Sequence, residues 1–385
     1  MEHTDNELDL LLNEAKELIS EPEPAPAPQP EAPKKKSFWR AFGRFVGRLF
    51  CFLLETVLLL AVALYGVMYV LAKGPSPSAR DLFVLSVRET SAVGFLANLF
   101  FTDEEIAAIE AGSGPAEFED MDTSLIVITK PTQPDDDQGG PQPDAWGLID
   151  EDGDGIIVET VKGEGFSGFM MVVQDPSRVI MASKPESFGR RGYTVAQMVE
   201  EFDAVAGINA GGFYDPNGQG NGSIPDTMVI YEGKIHYPQF GSASGFVGLD
   251  SNHIMHVGRF TAAQAEEKGI QYGVGFGPVL IANGEPVSLY PSGVNPRTGI
   301  GQRSDGAILM LVIDGRQVSS LGATYQDMTE IFLSYGAVNA CNLDGGSSSM
   351  MWYQGGYINN CASVVGIRPV PTTFLVLKEG ESKDG

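Results

Sequence analysis

The hydrophobic pattern divides the chain into a long apolar run, a short helical region and a longer strand-rich region. Residues 50–72 are apolar but for the single charge of Glu55. About 23 residues at ~1.5 Å each make roughly 34 Å of helix, enough to cross a bilayer. Residues 80–101 and 102–111 are predicted helical, the second opened by a capping box of Thr102 with Glu105 and closed by Gly112 and Gly114. Residues 131–154, rich in Pro, Gly and Asp, predict a linker. Beyond it come β-type runs (IIVETV, GFMMVVQD, RVIMAS) separated by Gly/Asn/Pro turns, with helices expected only at 194–202 and 324–335. The expected fold class is therefore α+β: a mixed or antiparallel sheet domain with a few helices, preceded by a transmembrane helix and a helical juxtamembrane spacer. The predicted boundaries are a tail at 1–49, the membrane helix at 50–72, the spacer at 73–130, the linker at 131–154 and the main domain at 155–385.

Charge then orients this arrangement. Residues 1–33 are acidic and end in EPEPAPAPQPEAP, an extended and solvated run, preceded by LDLLLNEAKELI, which predicts a transient amphipathic helix. Lys34, Lys35, Lys36, Arg40, Arg44 and Arg48 flank the apolar run, so that end is expected in the cytoplasm and the main domain outside. A cleaved signal peptide is the alternative, disfavoured because the segment ahead of the apolar run is far longer than an n-region. The formal net charge of -25 argues against nucleic acid as a partner, and against an anionic bilayer as the partner of the bulk of the protein. The bilayer is expected to be met through residues 50–72 alone.

Metal and redox chemistry receive little support. Cys51, Cys341 and Cys361 lack the CxxC spacing of a zinc site; in an extracytoplasmic domain the last two either pair or stay free thiols. His253 and His256 lie three apart, as a metal pair or as packing residues. DEDGDGI at 150–156 sets Asp150, Asp152 and Asp154 at alternate positions ahead of Gly155, like half a calcium loop, but the twelfth position is Val161. Weak calcium binding and a solvated acidic turn are both open, and no other cofactor is implied.

The candidate chemistry centres on residues 337–352, AVNACNLDGGSSSMMW. An apolar strand ends at Asp344 and breaks into Gly345, Gly346, Ser347, Ser348 and Ser349, whose N–H and hydroxyl groups could ring an anionic oxygen. A plain Gly/Ser turn with a structural Asp is the other reading. Further Gly-rich clusters lie at 207–222, 275–286, 295–306 and 312–316. Converging at one rim of a sheet, they would bring Asn209, Arg297, Asp314, Arg316, Asn342 and Asp344 together. Arginine forks suit phosphate, asparagines suit sugar hydroxyls, and a carboxylate can protonate a leaving oxygen or attack an anomeric carbon.

INAGGFYDPNG, PRTGIGQ, VIDGR and GATYQDMTEIFLSYGAVNACNLDGGSSS resemble, in order, the phosphodiester glycosidase family, over roughly residues 155–376. Its best-known animal member is the uncovering enzyme, which removes N-acetylglucosamine from a mannose-phosphate diester; bacterial envelope members often carry an N-terminal anchor. The resemblance implies hydrolysis between an anomeric carbon and a phosphate in a phosphorylated glycan. The NGGF-type motif falls on Asn209, Gly211, Gly212 and Phe213, and the RTAIG-type motif on Arg297, Thr298, Gly299, Ile300 and Gly301. DGR falls on Asp314, Gly315 and Arg316, and NLDGGGSS on residues 342–349. Gly299 stands where Ala is usual, Ser347 where a third Gly is common, and Pro225-Asp226-Thr227 replaces Pro-x-Gly, which bears on a substrate loop. The implied roles are Asp344 at the reacting centre with Asp314 as partner, Arg297 and Arg316 on phosphate, and Asn209 and Asn342 on sugar. Gly211, Gly212, Thr298, Gly345, Gly346, Ser347, Ser348 and Ser349 are expected to line the substrate. The expectation is a membrane-anchored, outward-facing hydrolase; the alternative is a non-catalytic glycan- or phosphate-binding envelope protein of exopolysaccharide or spore-coat assembly.

Overall fold

The computed structural model describes residues 13–15, 35–90, 93–111, 121–129, 142–237, 244–287, 291–363 and 366–380. The acidic tail, the amphipathic pattern at 8–19 apart from helical 13–15, Gly112, Gly114 and the first half of the predicted linker lie outside the described residues. The chain forms two compact units, Met1–Gly66 and Val67–Gly385. Helix α1 (Lys35–Lys73) contains the stretch Trp39–Lys73, long and apolar enough to cross a membrane and with none of its apolar window buried in protein.

In the second unit, α2 (Pro77–Arg88) starts where the Ser76 side chain accepts from the Ala79 N–H and proline occupies the first turn. It stops at Arg88, short of the continuous helix expected to 101. The side chains of Glu89 and Thr90 bond instead to residues two hundred positions on, and a short 3-10 helix, Gly94–Leu99, takes over. Then α3 (Asp103–Ala111) follows its capping box, with Thr102 N–H to Glu105 at 2.9 Å and Glu105 N–H to Thr102 at 3.3 Å. Val84, Ala97, Phe101 and Ile106 make a small core among these helices.

The strands come next: β1 (Ile156–Gly163), β2 (Phe166–Val173), β3 (Val179–Ser183), β4 (Ala206–Asn209), β5 (Val229–Tyr231), β6 (Lys234–Tyr237), β7 (Ser244–Asp250), β8 (Met255–Phe260) and β9 (Ile270–Val274). The rest are β10 (Val279–Ala282), β11 (Glu285–Pro286), β12 (Arg297–Arg303), β13 (Ile308–Ile313), β14 (Ala337–Leu343), β15 (Met351–Tyr353), β16 (Gly356–Tyr357) and β17 (Thr372–Val376). The helices among them are α4 (Val195–Glu201), α5 (Ala262–Glu267) and α6 (Tyr325–Ser334). The sheets run β1-β2-β13-β12-β14-β10-β11, β16-β15-β4-β17-β3 and β6-β5-β9-β7-β8, and their pairings are antiparallel. The fold is α+β, as expected, with no closed barrel. α5 was not anticipated, because AAQAEE carries no apolar period.

The first sheet is buried on both faces, which is why FMMVV and ILMLVI read as continuous apolar runs rather than alternating ones. Met171, Val173, Met310, Val312, Cys341 and Leu343 face the other two sheets. Met170, Val172, Leu309 and Leu311 pack under α6 through Met328 and Phe332. Gly299 and Gly301 leave room for α6: a Cβ at 299 would lie 2.7 Å from Met328 Cε, and one at 301 would lie 3.1 Å from the Phe332 ring. Residues 142–154 pack onto this sheet rather than looping free. The Asp144 carboxylate pairs at 2.7 Å with Arg303, whose guanidinium stacks on Trp146 at 3.9 Å.

Candidate active site

Strands β4 and β14 belong to different sheets and end side by side. The Asp344 N–H donates to the Ala210 carbonyl at 2.9 Å, and Asn209 Nδ2 donates to the Asp344 carbonyl at 2.6 Å. Asn209 Oδ1 accepts from Thr298 Oγ1 at 2.9 Å and from the Met350 N–H at 3.1 Å. One fully buried amide thus ties β4, β12 and both ends of the Asp344 loop. It also brings Asn209, Thr298 and Asp344 together and commits most of the Asn209 bonding capacity to backbone and hydroxyl.

The loop turns through a 3-10 helix, Gly346–Ser348, with Gly346 at φ +63° donating to the Pro296 carbonyl at 2.9 Å. Gly345 meets the same carbonyl, which a Cβ there would approach to 2.8 Å. Buried Asn342 donates through Nδ2 to Gly277 O at 2.8 Å, while its Oδ1 and the Ser349 hydroxyl have no partner.

Half-buried Asp344 is pushed up to about 7. Loss of water around it is the main cause; Asp226 and Asp215 add to the rise, while Ser348 and Arg368 work against it. Asp226, Asp215 and Arg368 were absent from the sequence-based site. Asp226 carried a signal, the departure from Pro-x-Gly; Asp215 lies in the INAGGFYDPNG stretch without a feature that singles it out, and Arg368 lies in none of the motifs. Asp226 sits against the NGGF turn, its Oδ2 2.6 Å from where a Gly212 Cβ would stand, and desolvation raises its carboxyl too. A side chain at 212 would displace the Asp226 carboxylate, and one at 211 would displace Val274, whose Cγ2 lies 2.2 Å from the Cβ position. Burial also works to raise Asp215, but the two 2.7 Å bonds from Arg368 and the Gly220 N–H hold it below the ordinary value. Arg368 reaches Ser347 Oγ at 3.2 Å, which links that pair to the loop.

The two motif arginines differ. Arg297 is buried, stacks on Tyr325 at 4.3 Å, donates to the carbonyls of Ala323 and Gly293, and pairs with Glu89 at 2.8 Å. Arg316 is exposed, at φ +58°, and its Nη2 donates to Thr90 Oγ1 at 2.7 Å and Asn295 Oδ1 at 3.1 Å. Among the described residues it makes no ion pair. Its Nη atoms lie 3.3 and 3.5 Å from a Cβ position on Gly346. Desolvation by surrounding protein, then the charge of Arg297, lower its affinity for its proton. A non-glycine residue in the left-handed region is a strained feature of the kind found at functional sites.

Asp314 faces elsewhere. Its oxygens accept from Asn359 Nδ2 at 3.2 Å, Asn360 N–H at 2.9 Å and Asn360 Nδ2 at 3.0 Å, and Asn359 in turn holds the Ser349 carbonyl at 3.0 Å. His256 bonds Asp250 at 3.0 Å, and His253 sits in a turn at φ +61°. Cys341 and Cys361 are free thiols, the first inside β14 and the second in a separate core around Val195 and Leu375. Asp150, Asp152 and Asp154 place ligand oxygens within 4.8 Å of one another and could hold a metal ion.

Residues 202–377 match the phosphodiester glycosidase family. The matched domain contains Asn209, the Asp344 loop, Asp226 and Arg368, while Glu89 and Thr90 lie ahead of it. A prophage-derived uncharacterized protein of Bacillus subtilis, YomE, is 32% identical over 181 residues, 43% of this chain and 27% of its own length. The chain thus spans about a quarter of that relative. The catalytic domain of zebrafish N-acetylglucosamine-1-phosphodiester alpha-N-acetylglucosaminidase, auto-inhibited by its pro-peptide, aligns at TM-score 0.48 and 18% identity, over 58% of this chain and 82% of that one.

Proposed function

We propose that this site hydrolyses a sugar-1-phosphodiester, cutting the bond between the anomeric carbon and the phosphate oxygen. The observation that carries the reading is a half-buried carboxylate raised to about 7, in a Gly/Ser loop beside an arginine without an ion pair, inside a domain that matches this family. Arg316, rather than charge-balanced Arg297, takes the phosphate. Ionised Asp344 accepts a proton from water, the water oxygen bonds to the anomeric carbon, and the phosphate monoester leaves with the electrons of the broken C–O bond. A phosphate whose second pKa is about 6 is a good leaving group and needs no strong acid. One carboxylate poised near neutrality therefore suffices on the sugar side. Asp226 is its neighbour in the pocket, and Asp314 acts at a distance by holding the 349–360 turn. The substrate is a phosphorylated glycan, and α1 is read as a single-pass anchor with its basic end in the cytoplasm and the domain outside.

The test is release of reducing sugar from N-acetylglucosamine-1-phosphodiesters and related sugar-1-phosphodiesters by the full chain in detergent, beside Asp344→Asn. The expected result is release by the parent and a loss of at least about 100-fold in the variant. No release by the parent across the panel overturns the reading in favour of a binding protein. Equal release by the variant moves the chemistry away from Asp344.

A further inference from the structure

The segment that follows α2 is built into the site's rim. Glu89 Oε1 accepts from the Gly293 N–H at 3.0 Å; its Oε2 accepts from Asn295 Nδ2 at 2.9 Å and from Arg297 Nη2 at 2.8 Å. Ser86 Oγ accepts from the Val294 N–H at 3.0 Å, and a Cβ on Gly293 would come within 2.3 Å of Ser86 Cα, so only glycine allows this approach. Thr90 Oγ1 accepts from Arg316 and lies 3.2 Å from Asn295 Oδ1, the second acceptor of the same guanidinium nitrogen. Two neighbouring arginines are thereby treated differently. One is paired directly with the Glu89 carboxylate; the other is held by neutral oxygens and feels Glu89 only at a distance.

We infer that Glu89 and Thr90 are positioning residues of the site. Glu89 neutralises Arg297 and Thr90 holds Arg316 at the Asp344 loop, ready for the anionic group of a ligand. The inference rests on the proposed reading only in that an anion binds at Arg316. The consequence is that the segment next to α1 completes the site, although it lies outside the family-matching region.

The test uses the full chain in detergent, with inorganic phosphate as the probe and calorimetry as the readout. Wild type is expected to bind phosphate saturably and Arg316→Gln to lose that binding. Thr90→Val, which keeps the shape and removes the hydroxyl, should weaken affinity roughly 3- to 10-fold at an unchanged melting temperature. Thr90→Ser, which keeps the hydroxyl, should restore it. Phosphate affinity in Thr90→Val equal to wild type, an equal loss in Thr90→Ser, or no binding by wild type would each overturn the inference. Sugar release measured on the same samples separates the two readings. Thr90-dependent phosphate binding without sugar release removes only the glycosidase, and sugar release with Thr90-independent binding removes only the positioning role.

Discussion

At the scale of one residue, the raised carboxyl of Asp344 ties stability to pH. Its folded-state value of about 7 lies above the ordinary 3.8, so the folded protein holds the proton more tightly than the unfolded chain does. As pH rises from about 4 through 7 the unfolded chain ionises first, and stability is lost across that window. Asp344→Asn removes the titration. Its melting temperature should exceed the parent's by a few degrees at pH 8, on the order expected for one relieved buried charge, and the gap should close as pH falls toward about 3. In the proposed reaction the ionised form works, so kcat/KM should rise with pH through about 7 and then level; a fall through 7 would make Asp344 the acid instead. Asp344, Asn209 and the Gly/Ser loop were legible in the sequence because motif and strand end coincide there. The raised carboxyl was not, because Asp215 and Asp226 come from loops more than a hundred positions before Asp344, and Arg368 from a segment after it that no motif ties to the site. Arg297 illustrates the reverse: its motif reads as a phosphate ligand, and only the tertiary contact with Glu89 shows where its charge goes.

At the scale of elements, local chemistry and burial pattern agreed where both could be read. Thr194 and Thr324 cap α4 and α6 through reciprocal bonds with Gln197 and Asp327, and both helices fall within the stretches 194–202 and 324–335 expected to be helical. Thr324→Ala should cost about 1 kcal/mol in chemical denaturation. Phe332→Ala, at a fully buried position over Gly299 and Gly301, should cost roughly 3–5 kcal/mol and loosen the β12 motif it covers. Where the elements departed from expectation, long-range bonds had overridden propensity. The sequence 80–101 has the composition of one helix, but the helix ends at Arg88, and the side chains of Glu89 and Thr90 just beyond it bond to Asn295. The acidic stretch after 141 reads as linker, yet Asp144 joins Asp305 as a counter-charge of Arg303, which is buried at 1% exposure.

At the scale of the molecule, these contacts extend the compact unit forward to Val67. A fragment beginning at residue 155 would leave buried Arg297 without Glu89, while Arg303 would lose Asp144 and keep Asp305. Breaking a buried pair by removing one partner costs about 3–5 kcal/mol, so that fragment should melt on the order of 10 °C below one beginning at residue 67, by calorimetry on both. Equal melting temperatures would show the forward segment to be an ornament. The sequence by itself determined the apolar helix, the α+β class, the strand that ends in Asp344 and the motif order, because period, composition and glycine spacing are local properties of the chain. Only the tertiary structure decided which carboxylates share the pocket, which arginine keeps its charge, and that the segment after α2 reaches the site. Desolvation and ion pairing depend on distances between residues far apart in sequence, and those exist only once the sheets have packed.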